Sequence, residues 1–534
     1  MKEYLKNLIK NSLEKMNISK EISEIAIEIP NKKGFGDYSS NVALKFSKEA
    51  NMNSRELANE IVSNINDENI AKMEVAGPGF INFYLKNDYL YNNLNKIITE
   101  EDYGKSNIGA NKKINIEYVS ANPTGILHLG HARGAAYGDA LSRIMKFAGY
   151  DVTREYYIND GGNQINNLVN SIKARYDEVK GLDVIFPEDG YHGVEIIDLA
   201  KKIYEKYPDT VDIEVIKEYG VNYLLDQIKN DLKNFNVEFD IWFSEKTLYQ
   251  ANAVSDVIKK LEEKNLTYES EGAIWLKTSE YGDEKDHVLI KKDGTYTYLI
   301  PDIAYHINKF SRNFDELIDV FGADHHGYIP RLKASLKMLG YDDSKIDFEI
   351  LQMVRLLKNG EEVKMSKRTG KVVTMNELVS DVGLDATRYI FTSRSLDTQL
   401  DFDMDIATKH NNENPVYYVQ YAYARISSIL NEYGKDVKPI NNYTNLNSEY
   451  VLDLLNKMYE FKDVIEASAT RHMPHLLTNY VYDLATLFHV FYAHEHVLTD
   501  DVLKTEEYIN LIKAVSIIIK KSLNLIGVQA YEKM

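Results

Sequence analysis

Residues 114–149 read INIEYVSANPTGILHLGHARGAAYGDALSRIMKFAG. Ile114, Ile116 and Tyr118 alternate with Asn115, Glu117 and Val119, the period-two pattern of a strand. Pro123 and Gly125 break that pattern with a tight turn. From about His131 a helix is expected, with Ala132, Ala136, Ala140 and Ile144 on one stripe and Gly149 as C-terminal cap. The small residues Gly134, Ala135, Ala136 and Gly138 let such a helix lie very close to a sheet. A strand, a turn and a helix start form an anion site, because free N–H groups and the helix dipole point at the ligand. His128 and His131 stand at that start, three residues apart, so both rings can face one direction. Imidazoles placed there donate hydrogen bonds to phosphate oxygens whose charge grows in a transition state. Gly130 between them leaves room for a flat ring or a ribose against the backbone. The tetrapeptide taken alone is equally compatible with a plain helix cap and solvated histidines.

A second constellation lies at residues 356–374, LLKNGEEVKMSKRTGKVVT. Asn359-Gly360 is a hairpin turn signal. Lys364, Ser366, Lys367 and Arg368 then follow before Gly370, a basic loop suited to a polyphosphate. Most clusters of this size are ordinary solvated loops, so this stretch too is ambiguous by itself. Thr374 and Glu377 form a capping box that opens the next helix and carry no chemistry.

Around these two stretches the chain reads as three blocks. The first hundred or so residues mix helical patterns with a Gly-rich turn at 31–37 and a strand-like run at 79–85. Alternating helix and strand patterns then continue to about residue 394, the grammar of an α/β sheet. After Pro415 strand patterns fade, and amphipathic helices are expected over 417–430, 450–467, 476–497 and 508–525.

Composition narrows the setting. The 534 residues are 44% apolar and 27% charged, which is globular. No apolar run is long enough to cross a bilayer, and the first sixteen residues read as an amphipathic helix, not a signal peptide. Cysteine is absent, which excludes disulfides and thiolate-bound zinc. A cytoplasmic location is expected. The net charge of -18 argues against a nonspecific nucleic-acid binder but not against an enzyme that grips one folded RNA.

HLGH opening a helix, followed some 230 residues later by KMSK, resembles the signature pair of class I aminoacyl-tRNA synthetases. The flanking sequences are similar to the arginyl branch: 155–165 (EYYINDGGNQI), 236–249 (NVEFDIWFSEKTLY), 295–306 (TYTYLIPDIAYH), 322–334 (GADHHGYIPRLKA) and 414–426 (NPVYYVQYAYARI). The resemblance covers essentially the whole chain, including GDYSSNVA at 36–43.

It implies an α/β fold with a Rossmann-like catalytic domain at 109–395, carrying an insertion at about 165–290 and a KMSK loop at about 359–370. It also implies a small N-terminal α/β domain at 1–108 that contacts the tRNA elbow, and an all-helical anticodon-binding domain at 396–534. The implied activity is ATP-dependent joining of L-arginine to tRNA(Arg), with Mg²⁺ brought by ATP, no protein-bound zinc or other metal, and a monomeric chain. His128, His131, Lys364 and Lys367 are the implied catalytic residues. ATP is expected on His128, Gly130, His131, Asp324, His325, His326, Gly327, Lys364, Ser366 and Lys367. Arginine is expected on Glu117, Ser120, Asn122, Tyr298 and Asp302.

Some arginyl enzymes lack KMSK and carry a lysine just before HxGH. This chain has Gly125 there and keeps both loop lysines. Judged as isolated residues, Asp302 reads as a helix N-cap and Glu117 as a surface strand residue. Tyr417, Tyr418, Tyr421 and Tyr423 read either as anticodon-stacking residues or as core. The alternatives are a synthetase for another amino acid and a non-catalytic tRNA- or arginine-binding relative. The second would have little reason to keep both motifs and all flanking domains.

Overall fold

The computed structural model describes residues 1–28, 30, 34–363 and 373–534; Lys364, Ser366, Lys367 and Arg368 lie outside them. The centre of the molecule is a five-stranded, all-parallel sheet in the order Ile346–Leu351, Glu316–Gly322, Lys113–Glu117, Asp151–Ile158 and Ile241–Ser244. The chain starts in the middle, at 113–117, moves outward one way and then returns to fill the other side. The strand order therefore reverses between 113–117 and 316–322, where doubly wound sheets open a crevice at their carboxyl ends.

The helix after the first strand spans Leu129–Phe147, two residues earlier than the sequence predicts, because His128 itself is the cap. Its small residues do bring it against the sheet. A Cβ on Gly138 would lie 2.2 Å from Cγ of Tyr118, so only glycine fits there. Asp139 on this helix is fully buried and pairs with the equally buried guanidinium of Arg388. Arg388 also donates to the carbonyls of Phe235 at 2.8 Å and Ile526 at 3.2 Å. One ion pair thus ties the helix to the end of the inserted region and to the chain's C-terminal turn.

The span 165–290 does not form one insertion. Helices Asn163–Val179, Val194–Lys206 and Ile213–Asn234 enclose a core of their own, but the strand at 241–244 is the edge of the main sheet. Residues beyond it pack with helix Leu299–Ser311 and helix Ile329–Met338. At the N-terminus a separate core lies within residues 5–85, around a three-stranded sheet. Helix Asn87–Thr99 instead joins the main core and packs on the C-terminal helices. The C-terminal block is helical, as read, although the 450–467 run splits at Glu460 into Glu449–Tyr459 and Phe461–Thr470.

His472, in the turn before helix His475–His494, locks this block to the sheet. It adopts φ 55° and sits among three carboxyls. Its Nδ1 lies 3.0 Å from Glu349 and its Nε2 3.5 Å from Glu316, with Asp347 beside them. Burial alone would lower the pKa of this ring, but the hydrogen bond and charge of Glu349, aided by Glu316 and Asp347, outweigh it and raise it. A histidine raised in the folded state stabilises fully below its unfolded pKa, and that stability is lost as pH rises through the folded value. His472→Asn, which keeps a residue tolerant of positive φ, is expected to lower Tm more at about pH 6 than at about pH 8.5. Thermal melts at the two pH values check this; equal losses would mean the ring acts by shape alone.

Candidate active site

The strand at 113–117 ends in a strained turn. Val119 and Ser120 hold φ of 68° and 37°, a region that a β-branched valine strongly disfavours. The turn aims the Ser120 hydroxyl at Glu117, to which it donates at 2.9 Å, while Ser120 Oγ accepts from the N–H of Tyr157 at 3.1 Å.

These residues form one wall of a cavity of about 1030 Å³ at the sheet's switch point. Glu117, Ser120, Asn122, Tyr298 and Asp302 all line it, and so do Asp324 and His325. His326 and Gly327 do not. They lie on the exposed 323–328 turn. The HLGH residues do not line the cavity either; they stand beside it, where the helix begins.

The site's charges are unevenly matched. Glu117 is 7% exposed, not the surface residue it resembles in isolation, and Lys309 donates to it at 2.5 Å. The same fully buried ammonium donates to Asp319 at 2.6 Å, and Asp319 lies 2.8 Å from His306 Nε2. Asp302 has no such cation among the described residues. Helix 299–311 starts at Leu299 with Tyr298 as N-cap, so Asp302 is one turn inside and does not cap it. It accepts a hydrogen bond from the Tyr328 hydroxyl at 2.5 Å. Burial pushes its carboxyl up to about 6, with Glu117 adding to the rise and Tyr328 and His306 opposing it.

Glu245 was not singled out by the sequence reading. It is 4% exposed, lines the same cavity, and accepts from Tyr157 OH at 2.9 Å. Its pKa is raised by burial, and the charge of Asp302 adds to that rise. Asp302 and Glu245 are thus two carboxyls in one cavity, each held by tyrosine and neither ion-paired among the described residues. Tyr298, 59% exposed, stands beside them.

At the helix start the two histidines cap reciprocally. His128 Nδ1 accepts from Gly130 N–H and His131 Nδ1 accepts from His128 N–H, each at 3.2 Å. Their rings stack at 3.8 Å. A neutral imidazole that accepts at Nδ1 carries its hydrogen on Nε2. A Cβ on Gly130 would press on His128 at 3.2 Å and disturb this stack. Thr374 forms a β-bridge with His128, which brings the far end of the KMSK segment to the HLGH turn.

Among the described residues, no group of three His, Asp or Glu with ion-ligating spacing lies on this side. The described residues with ion-ligating spacing, Glu316, Asp347 and His472, sit where strands 316–322 and 346–351 begin, the opposite end of the sheet. In the helical block Tyr423 is core, while Tyr417, Tyr418 and Tyr421 are half-buried. Tyr417 and Tyr421 stack at 5.9 Å, and Arg425 lies 4.6 Å over both Tyr421 and Tyr492.

A reversing parallel sheet with HLGH at its central helix start defines a class I aminoacyl-tRNA synthetase catalytic fold, and residues 93–401 match the family model "tRNA synthetases class I (R), catalytic domain". Residues 3–85 match "Arginyl tRNA synthetase N terminal domain" and 419–534 match "DALR anticodon binding domain". The chain belongs to the arginyl-tRNA synthetase family. It is 49% identical to an arginine–tRNA ligase of Geobacillus thermodenitrificans over 551 aligned positions, covering all of this chain and 99% of that one. It is 48% identical to the corresponding Bacillus subtilis ligase with the same coverage. The arginyl-tRNA synthetase structure from Thermus thermophilus, at 22% identity, shares the fold over the full length of both chains with a TM-score of 0.81.

Proposed function

We propose that this chain activates L-arginine with ATP and transfers the arginyl group to the 3′ end of tRNA(Arg), releasing AMP and pyrophosphate. The observation that carries the amino-acid assignment is the pair of tyrosine-held carboxyls at Asp302 and Glu245, neither of them ion-paired among the described residues. A planar guanidinium presents several donors in a fixed fork, which two such carboxylates satisfy together. Glu117 is already engaged by Lys309, so its role is at the other end of the substrate, with Ser120 and Asn122.

In the first step an arginine carboxylate oxygen attacks the α-phosphorus, and the bond to pyrophosphate breaks. In the second the terminal ribose hydroxyl attacks the adenylate's carbonyl carbon, an ester forms and AMP leaves. Neither step needs a protein nucleophile; both need positioning and charge stabilisation. His128 and His131 at the helix start serve the phosphates, Gly130 faces the nucleoside, and Asp324 and His325 border the nucleotide. His326 and Gly327 stand outside the cavity and are assigned to ATP on the family resemblance alone. Lys364, Ser366 and Lys367 are assigned to the departing pyrophosphate on the family resemblance. Mg²⁺ would be held mainly by ATP itself and would supply charge screening at the phosphates.

The half-buried tyrosines of helix Pro415–Tyr433, with Arg425, offer stacking faces for anticodon bases, in line with an anticodon-binding role for 396–534. The N-terminal domain (1–108) is assigned to the tRNA elbow. The chain is read as a monomer working in the cytoplasm; among the described residues no helix is long and apolar enough to cross a membrane.

Adenylate formation is expected to need cognate tRNA, by analogy with the family. Arginine-dependent exchange of pyrophosphate into ATP should be negligible until tRNA(Arg) is added. Full exchange with ATP and arginine alone would contradict this.

A further inference from the structure

Arg133, two residues beyond His131 on the HLGH helix, is completely buried, and among the described residues no carboxylate lies within ion-pair distance of it. Its guanidinium donates instead to three main-chain oxygens: Gln352 at 2.9 Å, Ser395 at 2.9 Å and Thr398 at 2.8 Å. Nε has no hydrogen-bond partner among the described residues. Burial lowers its pKa to about 10, with only the charge of Asp397 acting the other way. A buried cation held by carbonyls alone is costly, and an apolar side chain of similar volume is often tolerated as well or better at such a place. What an apolar side chain cannot do is hold three oxygens in one rigid fork.

Those oxygens mark two chain crossings. Gln352 joins strand 346–351 of the main sheet to strand Val354–Lys358, while Ser395 and Thr398 form the turn into strand Leu400–Asp403. Strands 354–358 and 400–403 pair in parallel. From this pair the chain continues into residues 364–370. On its return Met375 N–H donates to Leu127 O at 2.9 Å, next to the bridge between Thr374 and His128. Main-chain bonds therefore tie the returning stem to the HLGH turn, and Arg133 ties the outgoing stem to the HLGH helix.

We infer that Arg133 is a positioning residue for arginyl transfer: it fixes the strand pair 354–358/400–403 against the HLGH helix and so sets the register between HLGH and the stem, residues 354–363, from which the chain runs on to Lys364 and Lys367. This rests on the role proposed above for those lysines.

The test is a double-mutant cycle in the full-length chain, read as kcat for arginylation and KM for arginine. Arg133→Lys keeps the charge and loses the fork. It should lower kcat by about tenfold to a hundredfold, the cost of a small misplacement, with KM for arginine unchanged. In a background carrying Lys364→Ala and Lys367→Ala it should have no further effect, since nothing is left for Arg133 to place. Losses that multiply, or an unchanged kcat in R133K, would overturn the inference. If Lys364→Ala with Lys367→Ala, in a chain that keeps Arg133, left kcat unchanged, the role of the lysines would be overturned and this inference with it.

If R133K shows no thermal transition, Asp397→Ala decides. Asp397 is exposed and accepts from Ser395 Oγ at 2.5 Å and Thr398 Oγ1 at 3.3 Å, ordering the same turn from outside. A kcat loss that disappears in the lysine-free background supports the inference, and one that multiplies or is absent overturns it.

Discussion

Asp302→Asn is expected to raise the KM for arginine on the order of a hundredfold or more while leaving the KM for ATP nearly unchanged. The size follows from breaking one half of a buried charge pair, which costs roughly 3–5 kcal/mol. The same carboxyl makes the effect pH-dependent. Because burial holds Asp302 at about 6, the empty pocket takes up a proton as pH falls through that value, and arginine must displace it. The KM for arginine should therefore climb as pH drops below about 6 in the native chain and climb less steeply in the Asn variant, where Glu245 alone still takes up a proton.

A raised carboxyl favours the fold below its unfolded pKa, and that contribution is lost as pH rises through about 6. At neutral pH the ionised, unliganded group therefore costs the fold roughly 3 kcal/mol, at 1.36 per pH unit. Asp302→Asn should accordingly raise Tm at neutral pH while it ruins arginine binding. A mutant that lost both stability and arginine affinity would point to a structural role.

Lys364→Ala or Lys367→Ala is expected to lower kcat about a hundredfold, roughly 3 kcal/mol, with little change in arginine binding. The lysines are asked to meet charge that develops only as pyrophosphate leaves, so their loss appears in the rate and not in ground-state affinity. Gly125 occupies the position where the family resemblance places a substitute lysine in some arginyl enzymes, so that position supplies no cation here. Steady-state kinetics on both variants check this, and an unchanged kcat in both would reduce KMSK to a surface loop.

What was legible in the sequence is what is local. The strand, turn and helix at 113–147 follow from period-two alternation, Pro and Gly punctuation and a stripe of small residues, and Thr374 and Glu377 form the expected capping box. The five residues that the family resemblance assigned to arginine line one cavity. Non-local packing was not legible. Glu245 follows the short strand IWFS, which has no alternation to mark it, so neither the strand's place in the sheet nor the burial of its neighbour could be read. Lys309 looks like any charged residue on an amphipathic helix until the fold places Glu117 and Asp319 around it. The left-handed turn at Val119 and Ser120 contradicts local propensity and persists only because the sheet holds both sides.

The central claim is that this cavity selects arginine for attachment to tRNA. Charging of purified tRNA(Arg) with arginine, lysine, citrulline and glutamate, compared by kcat/KM, tests it most directly. Lysine lacks the planar fork and citrulline lacks the charge, so each leaves Asp302 or Glu245 unsatisfied. Sites built to bond a substrate group reject analogues lacking it by up to about 10⁴–10⁵. The account predicts arginine ahead of the other three by several orders of magnitude; equal or better charging with any of them would contradict it.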